Sequence, residues 1–205
     1  MASVMFANTG LEISPPVDFR EYRRRSVLIS ADETQFETKA AATKFGFRFM
    51  IPIDALDFLG AAPVLEAFLQ KTGYGTAFSQ TWPEHQSLAD IPKLNILNAR
   101  ATAAANTDEV SIRATAGRVP AVQKGRYFRF SNHNKLYRVE ETISTVPTTS
   151  NVALSFYPNL TVAVPSGATI DLNPTINAKM AESTSLNVVV PAEGINMKMI
   201  EVREV

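Results

Sequence analysis

The sequence predicts a mainly β protein with one short helix, and three observations carry that expectation. Apolar and aromatic residues recur at a period near two along most of the chain, from Val27-Leu28-Ile29 and Phe45, Phe47 and Phe49 to Ile195, Met197 and Met199. Clusters of Gly, Pro, Asn and Ser break those runs at short, even intervals, as in antiparallel sheets and small barrels. A helical spacing of apolar residues is convincing only at Val64, Leu65, Phe68 and Leu69.

Taken in order, the opening stretch ends in Pro15-Pro16, which fixes φ twice and removes two amide donors, so an extended arm is expected there. Arg23-Arg24-Arg25 reads as a solvated turn. Two strands follow, one around Val27-Leu28-Ile29 and one around Phe45 to Phe49, joined by a polar, Ala-rich loop over residues 33–43. Pro63 suits a first helical turn and Gly73 a helix end, which frames the single helix. The weak alternation from Ala77 to Trp82 suggests another strand, and Pro83 and Pro92 bracket a seam between domains.

Beyond that seam the β pattern is denser. Val110 and Ile112, Phe128 and Phe130, Tyr137, Val139 and Ile143, Val152, Leu154 and Phe156, and Ile170 and Leu172 each alternate with polar neighbours. Turn-forming clusters at Ala116-Gly117, Lys124-Gly125, Ser131 to Lys135, Pro147 to Asn151 and Pro165-Ser166-Gly167 separate them, so a small antiparallel barrel is expected. After a second seam at Pro174 the longer strands return, with Leu186, Val188 and Val190 and then Ile195, Met197 and Met199. The apolar phase slips from Met199 to Ile200 and Val202, which predicts a β-bulge near that point.

Composition excludes several function classes. At 205 residues and 45% hydrophobic content, the chain suits one large folded domain or two small ones. Twenty Lys and Arg balance twenty Asp and Glu, leaving no global positive field to draw the chain onto nucleic acid or an anionic membrane. The lack of cysteine removes disulfides, thiolate metal sites and a cysteine nucleophile, and fits a reducing cytoplasm or a particle assembled there. The N-terminal stretch lacks the pattern of a secretory signal, and no window reaches roughly 18 uninterrupted apolar residues, so a soluble protein without a membrane partner is expected.

Residues with chemical potential are sparse. His85 and His133 fall in different predicted domains without ligand-like spacing, and His133 sits in a polar turn where a hydrogen-bonded role is ordinary. Its neighbour Ser131 does not make a triad. Asp54 and Asp57, ahead of the helix, complement its dipole. Glu140-Glu141 on a strand would point to opposite faces, and Gly73-Tyr74-Gly75 lacks the third glycine of a phosphate loop. Tyr127, Phe128, Arg129, Phe130 and Tyr137 raise the question of a nucleic-acid stacking platform, but their alternation commits at least half of them to a core. The expectation is therefore no enzyme, with no catalytic residue, no cofactor and no metal site.

Some of these residues resemble a known family. Lys124-Gly125-Arg126-Tyr127-Phe128-Arg129-Phe130, then His133 and Lys135-Leu136-Tyr137-Arg138-Val139, is similar to a strand–turn–strand string of distal tail proteins from long-tailed, siphovirus-type phages. Leu154-Ser155-Phe156-Tyr157-Pro158-Asn159-Leu160 and Ala163-Val164-Pro165-Ser166-Gly167-Ala168-Thr169-Ile170 resemble its next strand and turn. The likeness extends to the order of the elements over most of the chain and fades in the first twenty-odd residues and in residues 33–43.

The resemblance implies a β-sandwich-like, ring-forming tail-tube domain from residues 1–91 and 174–205, with an inserted OB-like barrel from residues 92–173. It further implies a structural subunit of a virion tail tip or baseplate, assembled in the host cytoplasm as a homo-hexameric ring. The implied partners are other copies of itself, the tail tube protein, the baseplate hub and side-fibre or receptor-binding proteins, with DNA only passing through the lumen. Two other expectations from the same setting are a carbohydrate- or host-receptor-binding module, for which Trp82 is the only tryptophan, and a neck or head-completion protein.

Overall fold

The computed structural model describes residues 4–6, 11–13, 17–22, 25–29, 35–39, 43–54, 76–82, 97–115, 121–180 and 195–205. Among them every regular element is a strand, so the mainly β expectation holds. In chain order the strands are β1 (Val4–Phe6), β2 (Leu11–Ile13), β3 (Val17–Tyr22), β4 (Arg25–Ile29), β5 (Gln35–Lys39), β6 (Lys44–Asp54) and β7 (Phe78–Thr81). There follow β8 (Leu97–Ala99), β9 (Glu109–Ala114), β10 (Tyr127–Phe130), β11 (Leu136–Val139), β12 (Val152–Tyr157), β13 (Ile170–Asp171), β14 (Thr175–Met180) and β15 (Ile195–Glu204). The expected helix from Pro63 to Gly73, the Pro83 to Pro92 seam and the strand at Leu186 to Val190 lie outside the described residues.

The chain divides into two compact units. The first comprises Met1–Arg20, Phe45–Ala89 and Thr175–Val205, and the second comprises Glu21–Lys44 and Asp90–Pro174. The first unit thus draws on both chain ends, while residues 21–44, which the sequence reading grouped with those ends, fall in the second.

In the first unit, β1 and β2 pair as a small antiparallel ribbon, Val4 opposite Ile13, where an extended arm was expected. The main sheet has the order β3-β6-β15-β14-β7. Its spine is the β6–β15 ladder, unbroken from Ile195 opposite Asp54 to Arg203 opposite Gly46. The bulge expected near Met199 is therefore absent, and the slip of apolar phase has another cause: the end of β15 is covered on both faces. Ile200, Val202 and Glu204 are buried on one face, with Phe45, Phe47, Ile176, Ala178 and Met180. On the other face Glu201 is buried by charge pairing, its carboxylate 2.6 Å from Arg48 Nε and 3.2 Å from an Arg203 guanidinium nitrogen. Trp82 is fully buried, with Phe19 5.5 Å away and Phe47 in an edge contact at 5.6 Å between ring centroids.

In the second unit, six antiparallel strands take the order β13-β10-β11-β12-β9-β8. The two ends of that row meet through the Asn98–Thr169 bridge, with Ala99 N donating to Ala168 O at 2.9 Å and Gly167 N to Ala99 O at 2.8 Å. The result is a nearly closed barrel, which removes most of the free edge of the sheet. Three consecutive strands, β10, β11 and β12, with β13 returning beside β10, make a Greek key. Two expected turns are made by glycines at positive φ, Gly125 at 86° and Gly167 at 89°.

The barrel core holds the residues whose alternation marked them, Val110, Ile112, Phe128, Phe130, Tyr137, Val139, Leu154, Phe156 and Ile170 among them. Phe128 stands edge-on to Phe130 and Phe156 at 5.3 and 5.8 Å, the geometry that aromatic quadrupoles favour. Residues 21–44 contribute the β4–β5 hairpin, with Arg25 opposite Lys39 and Ile29 opposite Gln35. Part of the expected loop over residues 33–43 is thus a strand, because pairing with β4 overrides the polar composition of β5.

Candidate functional site

A polar cluster of the barrel unit lies on β11, β12 and the turn before β11. Lys135 is buried, and its Nζ donates to the Thr43 carbonyl oxygen. Tyr157 donates its hydroxyl to Glu21 Oε1 at 2.8 Å and lies 3.0 Å from Thr43 Oγ1. Arg138 sits over the Tyr157 ring at 5.6 Å, a cation–π contact that helps hold the ring in place. Both ends of the segment carrying the β4–β5 hairpin are therefore fastened to Tyr157 on β12, and the Thr43 end also to Lys135 in the turn before β11. This places residues 21–44 with the barrel.

A second network surrounds His133. Asn132 donates its amide to Ala163 O at 3.0 Å, which turns Asn132 Oδ1 toward His133 Nδ1, also 3.0 Å away. Nδ1 then carries the proton, leaving Nε2 to accept from the Tyr137 hydroxyl at 2.7 Å. Burial pushes the His133 pKa below its usual value, and the cations Lys135 and Arg129 push it the same way. The ring is held as a neutral bridge between a turn and the core. Ser131 Oγ accepts from Thr169 N at 3.1 Å, so serine and histidine serve different partners and are not paired as nucleophile and base.

The other singled-out residues scatter. Phe128, Phe130 and Tyr137 are fully buried and Tyr127 nearly so, so these rings form core and not a stacking platform. Glu140 and Glu141 lie just past the end of β11, both exposed, and not on the strand where the sequence placed them. Trp82 is fully buried in the first unit, so its ring offers no exposed surface for sugar stacking. His85, Asp57 and Gly73-Tyr74-Gly75 lie outside the described residues. Among the described residues no group of three or more His, Cys, Asp or Glu could hold a metal ion, and no helix is long and apolar enough to cross a membrane. The fastening of Thr43 and Glu21 to Tyr157 had no sequence signal, since 114 and 136 positions separate the partners.

No protein-family model matches the sequence, and no curated protein matches it.

Proposed function

We propose that this chain is a structural, non-enzymatic subunit of a phage-type tail tip, assembling as a ring that joins the tail tube to the hub or receptor-binding apparatus. The observation that carries the reading is the two-unit layout. The polypeptide starts in a first unit, gives residues 21–44 to the second, comes back for residues 45–89, builds the small barrel of the second unit and returns to the first with β14 and β15. The strings that resemble distal tail proteins fall on the strands of that barrel, β10, β11, β12 and the turn into β13. A sheet-based subunit needs no catalytic group to act this way, because main-chain ladders and apolar packing supply the contacts and a closed ring leaves no edge for runaway growth. Phe128, Phe130, Tyr137 and Phe156 are directed into the barrel core, which favours a spacer or docking module over a sugar-stacking surface.

The test is immunogold labelling of particles that carry the protein. Label at the tail end farthest from the head is the expected outcome. Label at the head–tail junction, or none on purified particles, would overturn the reading.

A further inference from the structure

We propose that Asn98, Arg100 and Arg113 on the outside of the barrel form a docking surface for carboxylates of a second copy of this chain. Barrels of neighbouring subunits then meet head to tail. The inference rests on the ring reading above and adds to it the surface and the chemistry of one contact.

The geometry comes from the pairing of β8 with β9. Asn98 stands opposite Arg113, and Arg100 N donates to Ser111 O at 2.8 Å, which extends the ladder one step and sets Arg100 diagonal to Arg113. Leu97, Ala99, Ile112 and Ala114 are buried, so Asn98, Ser111 and Arg113 point outward. Diagonal positions on paired strands are roughly 7–8 Å apart, close enough for two guanidinium forks to share one acidic group or two adjacent ones.

Other arginines are paired: Arg48 and Arg203 with Glu201, Arg129 with Asp171 and Arg20 with Asp18. Among the described residues, Arg100 and Arg113 have no such carboxylate partner; the Nε of each is buried without a hydrogen bond, as in Arg126 and Arg129, so their terminal guanidinium nitrogens are the groups left for a partner. Beside Arg100 comes Gly167, where an added Cβ would meet nothing within 4 Å, so a partner can approach closely. Planar guanidinium pairs over small neighbours suit carboxylates. Nucleic acid fits less well, because the patch is two cations wide on a chain of balanced charge and the nearby aromatic rings are buried.

The same barrel carries the complement. Glu109 and Glu140 are exposed, as are their neighbours Asp108 and Glu141. Ser155 is opposite Glu109, and Glu140 N donates to Ser155 O at 3.0 Å, so Glu140, just past the end of β11, Ser155 on β12 and Glu109 on β9 form one outward row. In the order β13-β10-β11-β12-β9-β8, the acidic row reaches from the β11 side across β12 to Glu109 on β9, and the basic patch runs from Arg113 on β9 to β8, so the two adjoin along β9. Two different, mutually complementary patches are what a heterologous contact requires, and such contacts form a ring when the rotation between subunits closes. Exposed charge pairs of this kind set orientation and association rate more than affinity.

The test uses the full chain in two charge-reversed forms, R100E with R113E and E109R with E140R, followed by native mass spectrometry and sedimentation at low and high salt. Each form alone should need at least ten times the protein concentration of the parent to reach half-assembly. An equimolar mixture of the two should recover the parent's assembly, because every contact is again acid against base. Assembly of both forms like the parent, or loss without recovery on mixing, would overturn the docking surface while leaving the ring reading intact. A parent chain that stays monomeric would overturn both. Should either form misfold by circular dichroism, R100Q with R113Q replaces it; unchanged assembly and unchanged salt dependence in that variant would also overturn the surface.

Discussion

His133 shows how a side chain that looks chemically promising in a sequence is used for architecture. Its Nδ1 faces Asn132, its Nε2 accepts from Tyr137, and its pKa is held down by burial and then by Lys135 and Arg129. The unfolded chain takes up the proton near the ordinary value of 6.5, while the folded chain resists it, so stability is full above that pH. Stability is lost as the pH falls from there through the depressed folded value. Denaturant midpoints compared at about pH 7.5 and about pH 5.5 are expected to drop at the lower pH, and H133Q should flatten that drop. Y137F leaves Nε2 without its donor and should cost about 1–3 kcal/mol in urea unfolding at neutral pH. Phe128, at the centre of the aromatic cluster, sets the upper end: F128A should cost about 3–5 kcal/mol through lost burial and the cavity left behind.

Among the strands, the legible ones were those whose burial pattern has a period of two on one face. Val110 and Ile112 on β9, Phe128 and Phe130 on β10, and Leu154 and Phe156 on β12 announce their inward faces without help from context. Besides β1, β2 and β3 at the start of the chain, three strands gave no distinct signal. β8 is only three residues long. β5 is largely polar and exists because β4 pairs with it. In β14 the buried Ile176, Ala178 and Met180 alternate with Thr175, Asn177 and Lys179, but the alanine weakens the apolar rhythm. The end of β15 was misread because Glu201 is buried by ion pairing, which a hydrophobic pattern cannot express. The fastening of residues 21–44 was invisible for a different reason, since it joins groups more than a hundred positions apart. It yields its own prediction. Y157F removes the hydroxyl shared by Glu21 and Thr43, so tryptic cleavage after Arg25 and Lys39, followed by mass spectrometry, should become several-fold faster while the barrel's near-ultraviolet dichroism is unchanged.

Two units with separate cores should also unfold separately. Calorimetry of the intact chain is expected to give two transitions, with F128A moving one and leaving the other in place. A single transition shifted as a whole by that substitution would show one cooperative block instead. Assembly is the property on which the proposed role stands, since a subunit that continues a tail tube has no purpose as a monomer. Native mass spectrometry of the purified full chain, across a concentration series, measures it most directly. A single closed species of defined stoichiometry, a hexamer by the family resemblance, is the expected result, and a chain that remains monomeric at the highest concentration would contradict the proposal.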